Sequence, residues 1–285
     1  MNLQKIKLLA AMLTAVTIIG FVSSCKKDND EEIIDSDPTS FTEENSEAEF
    51  FSNDALNMSD AAANGEQKFR GGNDDMSVLS GCATVNKDSA NKTITIDFGT
   101  SYCLCKDGRY RKGIINIVYT GGKYADSASS RTVSFTDYYV ARDTTKWKKI
   151  SGSKTVTNNG RNTAGNWNWT IQGNNIRIDK HNGNWHTWSF TRNREQIAGS
   201  GTKTVLDDTY MITGGGSGQN SKGENYSSSI KTALKRVMTC PWFESGVVEV
   251  TPGNKPTRTI DYGTTGCDAT ATITVKGKTY TVTLP

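Results

Sequence analysis

Histidine is nearly missing from this chain: His181 and His186 are the only two in 285 residues. They stand in an Asn/Gly-rich stretch, HNGNWH, with no glutamate spaced as a zinc-protease helix requires, which excludes that chemistry and leaves them as expected surface-loop residues. Long apolar runs are also lacking. The longest, Leu8–Val22, has 15 residues, short of the about 20 needed to cross a ~30 Å hydrocarbon core. Proline is scarce, with five residues, and helical periodicity is weak from residue 77 onward. The glycine run Gly214–Ser217–Gly218 is not followed by a Lys-Ser/Thr pair opening a helix, so it is no phosphate loop and is expected to be a long hairpin loop.

What is present begins with an address. The start MNLQKIK carries two lysines and no acid, and the short apolar run behind it has the length of a signal-peptide core. Val22-Ser23-Ser24-Cys25 then resembles a lipobox, where signal peptidase II cuts before an acylated cysteine. That resemblance implies removal of residues 1–24, acylation of Cys25 with chains of the palmitate type, and firm attachment to a membrane. An acidic stretch follows, and directly after the cysteine it resembles the signal that sends lipoproteins of the Bacteroidota to the outer face of the outer membrane.

Charge is divided along the chain. Residues 26–76 carry 4 basic and 15 acidic side chains, a net of −11, whereas residues 77–285 carry 27 basic and 15 acidic, a net of +12. The first segment is low in aromatics and rich in Ser, Asn, Asp and Glu. It is expected to be a disordered tether over 25–76, with a short helix around 50–63, and to span roughly 40 Å. The second is expected to be the folded domain, 77–285, whose basic surface suits polyanions such as acidic glycans or lipopolysaccharide phosphates.

From Ser77 the chain reads as antiparallel sheet, with Thr, Val, Ile, Tyr and Trp punctuated by Gly and Asn. Strands are expected at 93–98, 113–119, 132–140, 167–171, 185–194 and 210–214. The clearest hairpin is Ala269–Val275 with Lys278–Leu284 about Lys276-Gly277, pairing Ile273 with Tyr280 and Ala271 with Val282 on one face and threonines on the other. The fold class is all-β, an antiparallel meander forming a sandwich or half-barrel. It carries an internal two-unit echo: Ser80–Val85 leading to Thr95-Ile96-Asp97-Phe98-Gly99-Thr100, and Ser245–Val250 leading to Thr259-Ile260-Asp261-Tyr262-Gly263-Thr264. Asp97 and Asp261 read as strand-end caps, and Asp207-Asp208 as a turn.

These stretches, with Asp107-Gly108-Arg109, Arg111-Lys112-Gly113, Cys267-Asp268 and Gly277–Tyr280, resemble a large group of Bacteroidota outer-membrane lipoproteins that has no assigned activity. The likeness covers most of 77–285 and implies location and fold, not mechanism. Tyr102 stands where the group has a small turn residue, and Cys105 is an extra cysteine.

An exported chain meets an oxidising compartment, so disulfides are expected among the five cysteines beyond Cys25. The echo suggests Cys82–Cys103 and Cys240–Cys267, with Cys105 left as a thiol able to compete for Cys82. No metal site and no cofactor is expected. Trp167 and Trp169 share one strand face and Trp188 lies on another. Pointing inward they are core; pointing outward they are a platform for sugar rings. The expected function is a surface-anchored, non-catalytic module binding a glycan or an envelope protein, with no nucleic-acid partner. The alternative is a carbohydrate-active hydrolase, which needs two carboxyl groups converging in a cleft.

Overall fold

The structure, a computed structural model, describes residues 39–63, 79, 81–121, 126–202, 206–264 and 266–284. Cys25 and the leader before it lie outside the described residues. One helix, α1 (Ser40–Ala63), precedes a run of strands: β1 (Thr84–Asp88), β2 (Thr93–Asp97), β3 (Cys103–Leu104), β4 (Tyr110–Tyr119), β5 (Ser130–Ala141), β6 (Lys148–Arg161) and β7 (Trp167–Lys180). They continue as β8 (Trp185–Ala198), β9 (Thr209–Asn220), β10 (Asn225–Val237), β11 (Ser245–Pro252), β12 (Arg258–Asp261), β13 (Thr270–Val275) and β14 (Lys278–Thr283).

All strands belong to one antiparallel sheet in which sequence neighbours pair in order, with β3 set aside on β4 and the ends β1 and β14 left unjoined. The all-β meander is therefore present, as an open half-barrel. The terminal hairpin has the register expected of it, Ile273 opposite Tyr280 and Ala271 opposite Val282. Lys276 and Gly277 both take positive φ, at 46° and 74°, the backbone that a two-residue turn matched to strand twist demands.

Curvature comes from irregularities in the ladder. Register shifts interrupt β4–β5, β5–β6, β6–β7, β7–β8, β8–β9, β9–β10 and β10–β11. Each adds local twist and bends the strand that carries it. At Gly113, between the shifted pairs, φ is +87° and a Cβ would sit 1.9 Å from the Asp137 carbonyl oxygen, so only glycine fits.

The sheet bends around α1, which contacts β2, β4, β5, β8 and β11. This corrects the expected boundary: residues 40–63 are not tether but the axis of the domain, with 13 of the 24 helix residues buried. Phe41, Phe51, Leu56 and Met58 join Ile96, Ile115, Ile117, Ile178, Trp188, Leu234, Val248 and Ile260 in one core.

Glu49 and Asp54 of the helix are buried because the strands supply cations, and Glu47 and Asp60 are paired while half-buried. Glu49 accepts from Arg192 Nε at 2.9 Å and also from its Nη2. Asp54 accepts from Arg111 at 2.8 Å, Asp60 pairs with Arg131 at 2.8 Å, and Glu47 sits between Lys148 and Lys180 at 3.1 and 2.8 Å. Four of the 15 acids counted along 26–76 thus pair with strand cations, and for Glu49 and Asp54 the pair lies in low dielectric, where an unpaired charge would be costly.

The echo is real at the strand ends. Asp97 accepts from Gly99 N at 2.7 Å and Asp261 from Gly263 N at 2.8 Å, the capping role expected of both. Their first strands are offset, however. Thr84 pairs with Asp97 and Val247 with Asp261, whereas the sequence echo aligns Val247 with Cys82. Disulfides link Cys82 to Cys103 and Cys240 to Cys267, with Cα–Cα distances of 5.6 and 5.5 Å. Cys105 is free and buried, and burial pushes its thiol pKa up.

Candidate binding site

Trp188 is fully buried and stacks on Phe190, ring centroids 3.9 Å apart, so it is core and presents nothing to a ligand. Trp167 and Trp169 are half-buried and stacked at 6.5 Å. Trp169 meets Tyr210 edge-on, and Arg161 lies 4.7 Å from the Trp167 ring centre. The three tryptophans do not form one platform.

The glycine run explains where the large rings go. It lies within β9, not in a hairpin loop, and corrects that expectation. A Cβ on Gly216 would come within 3.0 Å of the Trp188 indole nitrogen, and one on Gly218 within 2.4 Å of the Tyr226 ring. The bare backbone gives these rings room to lie across the sheet.

His186 is likewise no loop residue. It is buried on β8 beside Glu47, Lys180 and Lys148, and burial lowers its pKa to about 4. For Glu47, burial alone would raise the carboxyl, but Lys180 and Lys148 outweigh it and hold it below its ordinary range. Lys154, fully buried and donating to the Ser52 carbonyl, is lowered to about 7 by burial, with Arg131 nearby adding to the effect. Asp208 is buried, accepts from Tyr210 at 2.7 Å and Gln196 at 2.7 Å, and its pKa is raised by burial.

A well-formed concavity lies along one stripe of α1. Ser46, Phe50, Asn53, Asn57 and Ala61 recur at helical spacing and line a cavity of about 220 Å³. Opposite stand Met238, Pro241, Trp242 and Phe243 from the β10–β11 connection, Tyr262 and Leu284 near the chain end, and Asp107 and Arg109 from the β3–β4 turn. The connection is held in place twice, by the Cys240–Cys267 disulfide and by Arg236, which donates to the carbonyls of Cys240 and, at 2.9 Å, Trp242. The turn is held by Cys105 N bonding Arg109 O at 2.8 Å and by Asp107 bonding Arg111 at 2.8 and 2.7 Å.

A second cavity, of about 180 Å³, shares Phe50 and Arg109 with the first and adds Phe51, Val140, Ala141, Arg142, Asp143, Lys146 and Lys148. The Arg109 guanidinium lies 4.4 Å from the Phe50 ring centre at this common wall. No family model, curated protein or solved structure matches the chain.

Sequence reasoning missed every one of these cavity residues as a site. Pro241-Trp242-Phe243 directly after a cysteine was the available signal, together with the apolar–polar stripe through Phe50, Asn57 and Ala61. Among the described residues, no group of three His, Cys, Asp or Glu side chains is placed to hold a metal.

Proposed function

We propose that the chain is a lipid-anchored envelope protein, similar to the Bacteroidota lipoproteins it resembles, that acts at the outer-membrane surface as a non-catalytic binding module. Cys25 is its attachment, and the cavity beside α1 is its ligand site. The observation that carries the binding part is the cavity itself, with Phe50, Met58, Trp242 and Phe243 on its walls, a few polar groups among them, and a loop pinned over it by a disulfide. Pre-formed apolar concavities with a small number of placed polar groups are the usual form of a ligand site.

One feature speaks for the hydrolase reading: Asp54 and Asp107 both line the cavity and both accept from the same Arg111 nitrogen, at 2.8 and 2.7 Å. That shared guanidinium argues against it. Burial alone would raise Asp107, but its bonds to Arg111 hold it below the ordinary carboxylate range, whereas a glycosidase needs one carboxyl protonated near neutrality as general acid.

The test is a thermal-shift panel of oligosaccharides and envelope lipids on wild type and on Asn57→Trp, which fills the cavity from the helix side. A ligand present at 100 times its Kd stabilises by about 2.7 kcal/mol, and that shift should vanish in Asn57→Trp. A shift retained there, or steady release of reducing sugar that Asp107→Asn abolishes, overturns the reading. Cell fractionation of Cys25→Ala should show loss of membrane attachment, and protease applied to intact cells should shave the domain from the surface. Retention of the variant in the outer membrane, or full protection of the wild type, would sink the address.

A further inference from the structure

The two cavities differ in chemistry while sharing a wall. The larger combines apolar walls of Phe50, Met58, Met238, Trp242, Phe243 and Leu284 with polar ones, among them Arg236, which donates to the Cys240 and Trp242 carbonyls, and carboxylates turned to Arg111. The smaller brings four cationic side chains, Arg109, Arg142, Lys146 and Lys148, around a floor of Phe50 and Phe51. Two of these are engaged, Arg109 with Asp107 at 3.4 Å and Lys148 with Glu47 at 3.1 Å. Among the described residues no carboxylate ion-pairs with Arg142 or Lys146. The one acid of that cavity, Asp143, turns its carboxylate to the Thr145 amide and hydroxyl, both at 2.9 Å, and these bonds, with the charge of nearby Lys146 adding to them, hold its pKa below its ordinary range. An excess of positive charge therefore faces a concave, partly apolar space, the setting in which cations recognise an anion. The adjoining space has apolar walls, and the charges on it, Asp54, Asp107, Arg109 and Arg236, are engaged with protein partners.

We propose that the ligand is an anionic amphiphile: its apolar chain occupies the cavity beside Trp242 and Phe243, and its phosphate or carboxylate head lies in the basic cavity against Arg142 and Lys146. Arg109, stacked on Phe50 at the common wall, sits where chain and head join. This rests on the binding reading above and deepens it by naming the ligand class. The two parts of the ligand answer to different residues, so they are separable by mutation.

Calorimetry on the chain carrying Cys25→Ser, which has no acyl group of its own, decides the matter with three probes: dodecyl phosphate below its micelle concentration, dodecyl maltoside and inorganic phosphate. Dodecyl phosphate should bind about tenfold or more tighter than either of the others, the factor that one well-placed charge-assisted bond supplies. Removing both cations that form no ion pair among the described residues, Arg142→Ala with Lys146→Ala, should weaken dodecyl phosphate by about tenfold or more and leave dodecyl maltoside unchanged. Trp242→Ala should weaken both dodecyl compounds and leave inorganic phosphate unchanged. Dodecyl maltoside binding as tightly as dodecyl phosphate would overturn the anionic head and leave the cavity as a binding site. Inorganic phosphate binding as tightly would overturn the apolar part. Dodecyl phosphate bound equally well by Asn57→Trp would overturn both this inference and the cavity reading beneath it. No binding by any of the three overturns the amphiphile alone, since glycans and proteins remain in the thermal-shift panel.

Discussion

The side of α1 that carries Glu49 and Asp60 meets guanidinium groups on β8 and β5, whereas the side that carries Phe50, Asn57 and Ala61 meets a disulfide-held loop across a cavity. On the first side contact is polar and paired; on the second, the Asp54–Arg111 pair apart, it is largely apolar and incomplete. The difference separates two tasks within one helix. Paired charges set its depth and rotation in the sheet, since a buried acid displaced from its cation would be left uncompensated. The other face carries one such pair, Asp54 with Arg111, and is otherwise underpacked, at the cost of lost contacts, leaving space for a ligand.

The comparison breaks most visibly at Arg192. Arg192→Ala leaves Glu49 buried without its partner and should cost about 3–5 kcal/mol in urea unfolding. Arg192→Met combined with Glu49→Leu should come close to wild type; if the double variant is as unstable as the single, the pair does more than match charge. Next in size is the disulfide that holds the loop on the cavity side. Replacing Cys240 and Cys267 by serine should cost about 3 kcal/mol and abolish ligand-induced thermal shifts, and persistence of those shifts would detach the loop from binding.

The paired side should also answer to pH. His186 has a folded pKa of about 4 against about 6.5 unfolded, so between those values the unfolded chain takes up a proton the folded one refuses. Stability should then fall by up to about 3 kcal/mol as pH drops from 6.5 to 4, and His186→Phe should flatten that window. Glu47, whose folded pKa is lowered, contributes above its unfolded value of 4.5, and its contribution is lost only on further acidification. Lys154 works in a different range. With a folded pKa of about 7 against 10.5, it makes stability rise from pH 7 toward 10.5, and Lys154→Met should remove that rise. The smallest effects belong to the cavity stripe and the outer surface. Asn57→Ala and Lys231→Ala, the latter breaking an exposed pair with Glu249 at 3.2 Å, should each stay within about 0.5 kcal/mol. A large loss at Asn57 would mean the stripe is structural after all.

Legibility in the sequence followed the range of the interactions. The β13–β14 hairpin could be read to the residue because alternation and a Lys-Gly turn act over a few positions. The two disulfides could be read because each cysteine lies near its own echo unit. The helix could not be read as an axis. Its buried positions include Asn45, Glu49, Asp54 and Ser59, and what makes their burial tolerable sits 57 residues away for Asp54 and 143 for Glu49. The glycine run read as loop because its companions, Trp188, Phe190 and Tyr226, arrive from neighbouring strands. The cavity was hidden for the same reason, since its walls join α1 to a connection almost two hundred positions later.

That separation has a consequence for how the chain folds. Neighbouring strands of the meander pair in sequence order, so the sheet can grow hairpin by hairpin with little loop-closure entropy at each step. The helix has no such local route: the Ser46 and Tyr262 hydroxyls, 3.3 Å apart, are separated by 216 positions. Helix capture thus requires contacts of high sequence separation, the kind that slow folding. A chain emerging N-terminus first exposes α1 before its partners on β8, β11 and β12 exist. Its glutamates, aspartates and asparagines then keep it hydrated during the wait, so the same polarity that demands arginines in the finished domain guards the unfinished one against premature association.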